Sequence, residues 1–238
     1  MGSARAVIFD CDGTLLDSMA AWHSLENDLA WMAGVELTPW QVDLLNANTL
    51  SQTVSYFHTT YGVGKSFSSL LEEARGILLE SYCTCVAPRR GACELVRALS
   101  ERGVRLAVAS SSARVFLRAG LERAGLFEMF DVVASAEDEG ASKRDPRFVQ
   151  SVAARLGASP QASWCVDDSV YALEAMARAG FSTAGVYDSD AAGTFARLCK
   201  VADVAVRELD ELDVDLLAGG VGANAPARPA MAQQLRAS

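Results

Sequence analysis

The chain reads Val7-Ile8-Phe9-Asp10-Cys11-Asp12-Gly13-Thr14 near its start. The apolar run that ends at Phe9 is typical of a parallel strand buried on both faces. Asp10 ends this strand and Asp12 lies in the loop beyond it, at the carboxyl end where open α/β sheets bind their ligands. An isolated Asp-x-Asp-Gly can be an ordinary polar turn, but the strand before it and the stretch Leu15-Leu16-Asp17-Ser18 after it favour a functional site.

Two carboxylates at one strand end must repel each other or share a cation. Mg²⁺ takes oxygen ligands, usually one or two carboxylates together with phosphate oxygens. A metal-neutralised Asp10 can attack phosphorus and form an acyl-phosphate, and Asp12 can protonate the leaving oxygen and then deprotonate water. Gly13 permits the tight turn, and Thr14 can fix it by hydrogen bonding. The stretch therefore predicts a site for phosphoryl transfer with magnesium.

Bulk composition limits the function classes that remain. The chain has 238 residues, 50% of them hydrophobic, and a formal net charge of −9. Nucleic-acid binding requires clustered Lys and Arg, so we expect a small phosphorylated metabolite as partner and no nucleic acid. No apolar run approaches the roughly 20 residues that span a bilayer, and we expect a cytoplasmic monomer with no membrane segment. The six cysteines form no metal-binding pattern and are expected to be free thiols.

The alternation of apolar runs with helical patterns predicts an α/β fold with a doubly wound parallel sheet. Helical periodicity occurs between most of the runs and stops at Gly157 and Gly180. The predicted strands are Ala6–Phe9, Val104–Ala109, Val132–Ala134, Trp164–Val166, Thr183–Tyr187 and Val201–Val206.

One segment interrupts this alternation. Residues 18–86 read as helices only, and one apolar helix face is predicted at Trp22, Leu25, Leu29 and Met32. We expect a small helical cap at 18–86, inserted into a Rossmann-like core made of residues 1–17 and 87–216. Residues 217–238 are rich in Ala, Gly and Pro and are expected to form a flexible tail.

Serines follow a second predicted strand. Ser110 can offer a hydroxyl to an anion at a strand-to-helix junction. Capping of the next helix is the alternative reading, and for Ser112 it is the preferred one.

Charged residues mark two further positions. Lys143 precedes Pro146 and a helix, and a cation there can stabilise developing phosphoryl charge, although most single lysines are surface residues. Asp167 and Asp168 end a third strand. Paired acids at a strand end are hard to explain without a cation, and helix capping is the alternative.

In this order, the motifs resemble those of the haloacid dehalogenase (HAD) superfamily from about residue 5 to residue 215. The first motif runs from Phe9 to Ser18, and the chain is similar to the phosphatase and β-phosphoglucomutase-like branch with a helical cap. The resemblance implies a Rossmann-like core, with Asp10 as nucleophile and metal ligand and Asp12 as general acid/base with its carbonyl on the metal. It places Ser110 on the phosphoryl group and Lys143 on both the nucleophile and the phosphoryl group. It also implies that Asp168 is a direct or water-mediated metal ligand and that Asp167 supports it within the metal site. Arg144 stands where the family usually has Pro, and Ala172 where it often has Gly.

The resemblance implies a Mg²⁺-dependent phosphatase that passes through an aspartyl-phosphate. Asp12 argues for an oxygen leaving group, because a dehalogenase of the superfamily lacks this second Asp. A phosphosugar mutase is the alternative, but Trp22 stands at the cap-hinge position of the mutase His, with His23 one residue late, and residues 45–51 contain no Arg. A non-catalytic binding protein with the same fold is the third hypothesis. The substrate and the roles of cap residues such as Trp22, His23 and Asn48 stay open.

Overall fold

A computed structural model describes residues 4–46, 48–189 and 195–219 of the chain. Its centre is a six-stranded parallel sheet with the strand order β5-β4-β1-β6-β7-β8, and a second, antiparallel pair joins β2 and β3. The strands are β1 (Ala4–Phe9), β2 (Leu16–Asp17), β3 (Ala87–Pro88), β4 (Arg105–Ser110), β5 (Val132–Ser135), β6 (Ala158–Asp167), β7 (Ser182–Val186) and β8 (Val204–Val206). The predicted α/β class with a doubly wound parallel sheet is confirmed.

Helices cover both faces of this sheet. The helices are α1 (Met19–Ala33), α2 (Pro39–Leu45), α3 (Leu50–Tyr61), α4 (Phe67–Thr84), α5 (Ala92–Glu101), α6 (Arg114–Arg123), α7 (Pro146–Arg155), α8 (Val170–Arg178), α9 (Phe195–Val201) and α10 (Val214–Gly219). Within the described ranges, none of them combines the length and apolarity that a membrane crossing requires.

β1 lies at the centre of the sheet and explains where a ligand can bind. Val7 and Phe9 belong to the hydrophobic cluster on one face, and Ile8 to the cluster on the other, each fully buried. β1 pairs with β4 on one side and β6 on the other, so the chain order reverses direction at β1. Such a reversal opens a crevice at the carboxyl ends of the strands, and Asp10 follows β1 at that edge.

The four helices α1 to α4 lie between β2 and β3 in the chain. Thr38 and Thr49 begin α2 and α3 with capping boxes completed by Gln41 and Gln52, which satisfy backbone donors that a helix start leaves free. Gly62 ends α3 in the left-handed region with φ of +71°. The pairing of β2 with β3 brings the entry and the exit of this helical segment together. Its apolar residues join the same hydrophobic cluster as Phe9, and the division into cap and core domains stays a prediction.

Several sequence expectations differ from the structure. The strand predicted at Val201–Val206 is shorter, because Val201 ends α9 with its side chain buried and only Val204–Val206 pairs with β7. Met32, predicted on a buried helix face, is 51% exposed. Leu217, predicted to begin a flexible tail, is buried within α10; residues 220–238 of that tail lie outside the described residues.

A substitution at Gly91 tests how closely the sheet and its connections are packed. Its φ is +81°, and an added Cβ would lie 2.3 Å from the backbone nitrogen of Asp210. We expect Gly91→Ala to lower the free energy of unfolding by about 2–4 kcal/mol, because backbone strain and a backbone clash add. Gly103 has φ of +71° with open space around the added Cβ, so Gly103→Ala should cost only about 1–2 kcal/mol. Urea unfolding measures both, and equal losses would contradict the packing argument.

Candidate active site

Lys143 joins two strand ends at the carboxyl edge of the sheet. Its Nζ lies 2.8 Å from Oδ1 of Asp10, after β1, and 2.6 Å from Oδ2 of Asp167, the last residue of β6. All three residues are buried. Burial alone would lower the pKa of Lys143, but the two carboxylates more than reverse this and hold it well above its usual range. Lys143 is therefore a permanent buried cation rather than a surface lysine.

The pKa of the Asp10 carboxyl group differs from its ordinary value. Desolvation raises its pKa to about 7, although the charge of Lys143 acts in the opposite direction; the charges of Asp167 and Asp12 add to the rise. A cation close to Asp10 would favour its ionised form. The ionised form is the one that can act as a nucleophile or as a metal ligand.

Asp10, Asp167 and Asp168 form a group whose carboxylate oxygens lie within 4.8 Å of one another. Desolvation, followed by the charges of Asp10 and Asp167, raises the pKa of Asp168 well above its usual value. Thr14 donates a hydrogen bond to Oδ1 of Asp168 at 3.2 Å. Three buried carboxylates facing one lysine leave uncompensated negative charge, and hard oxygen donors of this kind suit Mg²⁺. The donor set therefore fits the divalent cation that the sequence predicts.

Gly13 lets the loop after β1 approach this acidic group. An added Cβ would lie 2.8 Å from Oδ2 of Asp168, and φ at Gly13 is +78°. Arg89, which follows β3, donates to the carbonyl oxygen of Gly13 at 2.6 Å and to Oδ2 of Asp188 at 2.8 Å. The sequence patterns did not single out Arg89. It braces the loop that carries Asp10 and Asp12.

Asp12 is held by hydroxyl groups. Its Oδ1 accepts hydrogen bonds from Ser18 at 2.7 Å and from Tyr82. Its Oδ2 accepts from Ser112 at 2.6 Å and from Ser110 at 3.3 Å. Protein hydroxyl groups therefore orient the side chain of Asp12, which is not a member of the group formed by Asp10, Asp167 and Asp168.

The predicted helix cap at Ser112 is wrong. α6 begins after Ala113, which makes no side-chain cap. Instead the amide of Arg114 donates to Oδ2 of Asp138 at 2.9 Å, so a distant carboxylate satisfies the first turn of the helix. This leaves the hydroxyl of Ser112 free to bind Asp12. The amide of Ser112 in turn donates to the hydroxyl oxygen of Ser110 at 3.1 Å.

Tyr82 links the helical segment to Asp12, and the sequence patterns did not single it out. It is fully buried near the end of α4 and stacks on Phe116 of α6 with ring centroids 5.5 Å apart. Its hydroxyl accepts a hydrogen bond from Nε1 of Trp22 at 2.9 Å and donates to Asp12. A signal existed in the sequence, because Tyr82 continues the buried helical stripe of Leu70, Ala74 and Leu78.

A cavity of about 290 Å³ opens above these groups, between the sheet edge and the helical segment. Asp10, Asp12, Ser110, Lys143 and Asp168 reach it from the sheet side. From the helical segment, its lining includes Met19, Trp22, Glu26, Leu45, Asn46 and Asn48. The structure therefore brings Asp10, Asp12, Ser110, Lys143 and Asp168 to one cavity together with side chains of the helical segment, and Asp167 contacts Lys143 without lining the cavity.

Other polar residues of the helical segment have mostly structural partners. His23 lies with Nε2 3.1 Å from Oδ1 of Asn46, and it does not line the cavity. Thr49 caps α3. Lys65 is exposed and lies outside the lining. Asn48 lines the cavity, and Trp22 both lines it and packs in the hydrophobic cluster.

Comparisons with known proteins point to one family over most of the chain. Residues 4–180 match the family model described as haloacid dehalogenase-like hydrolase. The chain is 31% identical over 176 residues to hexitol phosphatase B of Escherichia coli K12, covering 69% of this chain and 75% of that protein.

Solved structures share the fold. CbbY from Rhodobacter sphaeroides, in complex with phosphate, aligns with a TM-score of 0.76 and 21% identity over 90% of this chain and 100% of that one. β-Phosphoglucomutase from Clostridium difficile aligns with a TM-score of 0.73 and 19% identity over 88% and 93% of the two chains. At these identities the likeness concerns the fold alone.

The acidic group predicts a stability response to metal. Mg²⁺ should raise the melting temperature of the protein, because a ligand at about 100 times its Kd adds about 2.7 kcal/mol. Asp168→Asn should lose most of this increase, yet without metal it should be at least as stable as wild type, since one buried charge is removed. Asp215→Asn, which removes an exposed carboxylate paired with Arg102, should keep the full increase. Thermal unfolding with and without Mg²⁺ measures this, and equal shifts in both variants would contradict the metal site.

Proposed function

The chain belongs to the haloacid dehalogenase-like hydrolase family, and we propose that it is a Mg²⁺-dependent phosphatase that hydrolyses a small phosphorylated metabolite through a phosphoryl group carried on Asp10. One observation supports this proposal most directly: Asp10 lies at a sheet edge beside a buried lysine and two further buried carboxylates, and it opens into the same cavity as Asp12. The curated relatives of the chain include proteins named as phosphatases.

Asp10 acts as the nucleophile in this proposal. Its free carboxylate oxygen attacks phosphorus, the bond from phosphorus to the ester oxygen breaks, and an aspartyl-phosphate forms. Lys143 keeps one oxygen of Asp10 in place through their ion pair and faces the charge that develops on the phosphoryl oxygens, a large electrostatic effect in a buried site. Ser110, at the end of β4, hydrogen-bonds the phosphoryl group in the same scheme.

Asp12 acts as the general acid and then as the general base. It enters the reaction protonated, gives that proton to the departing ester oxygen, and as the resulting carboxylate takes one from the water that hydrolyses the aspartyl-phosphate. When the Ser110 hydroxyl turns from Asp12 to the phosphoryl group, the hydroxyl groups of Ser18, Tyr82 and Ser112 still orient this carboxyl group, so its reorganisation during the reaction is small.

Asp10, Asp168 and the backbone carbonyl of Asp12 would hold Mg²⁺, with Asp167 placing Lys143 beside them. The metal, when bound, supplies positive charge that offsets the repulsion between the carboxylate of Asp10 and an anionic phosphate.

The mutase alternative differs in its need for a basic group in the cap. Histidine does not occur among the described residues that line the cavity. His23 is engaged with Asn46, and Trp22, at the hinge position, donates its indole N–H to Tyr82. These contacts favour hydrolysis over isomerisation. Product analysis separates the two, because a mutase converts a sugar phosphate into its isomer when a bisphosphate is added, whereas a phosphatase releases free phosphate.

Asp10→Asn tests the nucleophile. We expect hydrolysis of p-nitrophenyl phosphate with Mg²⁺ to fall by at least about 10³-fold, because an amide cannot form the covalent intermediate. Asp28→Asn, a change on the exposed side of α1, should keep wild-type activity. Equal and negligible rates for wild type and Asp10→Asn would contradict phosphatase activity and would favour the non-catalytic binding protein.

Tyr82→Phe tests the hydroxyl that orients Asp12. A misplaced general acid slows the departure of a poor leaving group more than that of a good one. We expect kcat/KM to fall by about 10-fold for an alkyl phosphate, a part of the 10²–10⁴-fold that a positioned acid supplies, and by much less for p-nitrophenyl phosphate. Tyr61→Phe removes a cap tyrosine hydroxyl that binds Gln41 instead and should leave both values at wild-type level.

The two esters separate positioning from a structural effect of Tyr82. A loss of packing around the phenol would lower kcat/KM for both esters to the same extent. Equal losses in Tyr82→Phe would therefore contradict a role through Asp12.

A further inference from the structure

Glu26 is a buried acid that the reaction described above does not use. It lies on α1, one turn after Trp22, is only 3% exposed, and lines the cavity that contains Asp10 and Asp12. Among the described residues, no hydrogen bond or ion pair reaches its carboxylate. Asp10, Asp167 and Asp12, by contrast, each have a lysine or hydroxyl partner.

An unpartnered acid in such a place is costly. Burial raises the pKa of Glu26 to about 7, and the charge of His23, one turn earlier on α1, lowers it only in part. A buried carboxyl group without donors destabilises a protein by the desolvation that no hydrogen bond offsets. A ligand that donates hydrogen bonds inside the cavity would recover this free energy. Buried polar groups left unpaired in the empty site are also those that discriminate most strongly between substrates.

We propose that Glu26 is a specificity-determining residue that accepts hydrogen bonds from hydroxyl groups of a sugar phosphate or sugar-alcohol phosphate while the phosphate lies at Asp10. This inference rests on the proposed function, because it places the phosphate of the substrate at the nucleophile. It adds the class of the remaining part of the substrate.

The surroundings of Glu26 offer hydroxyl groups further hydrogen-bond partners. Asn46 and Asn48 lie on the same side of the cavity as Glu26, and amides both donate and accept hydrogen bonds as hydroxyl groups do. The volume of about 290 Å³ is at the small end of ligand sites, which suits one sugar-sized unit better than a nucleotide.

Three substrates and three proteins test the proposal. The substrates are a hexitol 6-phosphate, n-hexyl phosphate, which has the same chain without hydroxyl groups, and p-nitrophenyl phosphate. The proteins are wild type, Glu26→Leu and Glu26→Gln, all with Mg²⁺. Glu72→Leu, an equal change at an exposed position of α4, serves as the matched control.

We expect wild type to prefer the hexitol phosphate over n-hexyl phosphate by at least about 100-fold in kcat/KM, because a site built to hydrogen-bond a hydroxyl group can reject the analogue that lacks it by up to about 10⁴–10⁵-fold. Glu26→Leu should reduce this ratio by at least about 10-fold, and Glu26→Gln should keep part of it, because its amide oxygen still accepts. Glu72→Leu should keep the full ratio. The proposal is overturned if wild type shows no preference between the two esters. It is also overturned if Glu26→Leu leaves the ratio unchanged, or lowers kcat/KM equally for all three substrates.

Direct binding keeps this test independent of turnover. Calorimetry with the Asp10→Asn protein should show that the hexitol phosphate binds more tightly than n-hexyl phosphate, and that adding Glu26→Leu removes the difference. If wild type hydrolyses none of the esters, the proposed function is contradicted. The difference in binding would still decide the role of Glu26. Thermal unfolding checks that the variant is folded. We expect Glu26→Leu to be at least as stable as wild type.

Discussion

Lys143 forms ion pairs with Asp10 and Asp167 where little water reaches. Burying such charges is expensive, and a missing partner would leave an uncompensated charge that costs about 3–5 kcal/mol. The sheet makes the arrangement possible. β1 and β6 are parallel neighbours in which Phe9 is opposite Val166, so the residues that follow, Asp10 and Asp167, end their strands side by side. The ammonium group of Lys143 therefore pairs with both carboxylates from a single position.

Asp12 extends the same constraint to the helical segment. It is two residues beyond Asp10, yet its partners come from three separate parts of the chain: Ser18 at the start of α1, Tyr82 near the end of α4, and the serines after β4. The pairing of β2 with β3 holds the two ends of the helical segment near this carboxylate. Because Tyr82 also accepts from Trp22, a displacement of the helical segment would be felt directly at Asp12. The position of the helical segment and the orientation of Asp12 are therefore coupled through the hydroxyl groups of Ser18 and Tyr82.

The sequence patterns predicted the sheet and the group around Asp10, because both depend on residues that are neighbours along the chain. An apolar run followed by acids indicates a buried strand with a polar end, whichever way the strands are arranged. The roles of Ser112 and Tyr82 could not be reached in this way, since each is decided by a partner distant in sequence: Asp138 satisfies the first turn of α6 in place of Ser112, and Tyr82 meets Asp12 only in the folded chain. Val201 was misassigned because apolar β-branched residues fit a short buried helix end as well as a strand.

Glu26 shows how a signal can be present in a sequence without being interpreted. It follows Trp22 by four residues and shares a buried helix face with Leu25 and Leu29, and a charged residue on such a face contradicts the apolar pattern. Disagreements of this kind are expected at functional sites, where stability is given up for binding. The groups at the sheet edge would act on the phosphate of any ester and so cannot distinguish one ester from another. Discrimination must come from the opposite wall of the cavity, and Glu26 is an acidic residue there to which no described residue supplies a hydrogen bond or an ion pair.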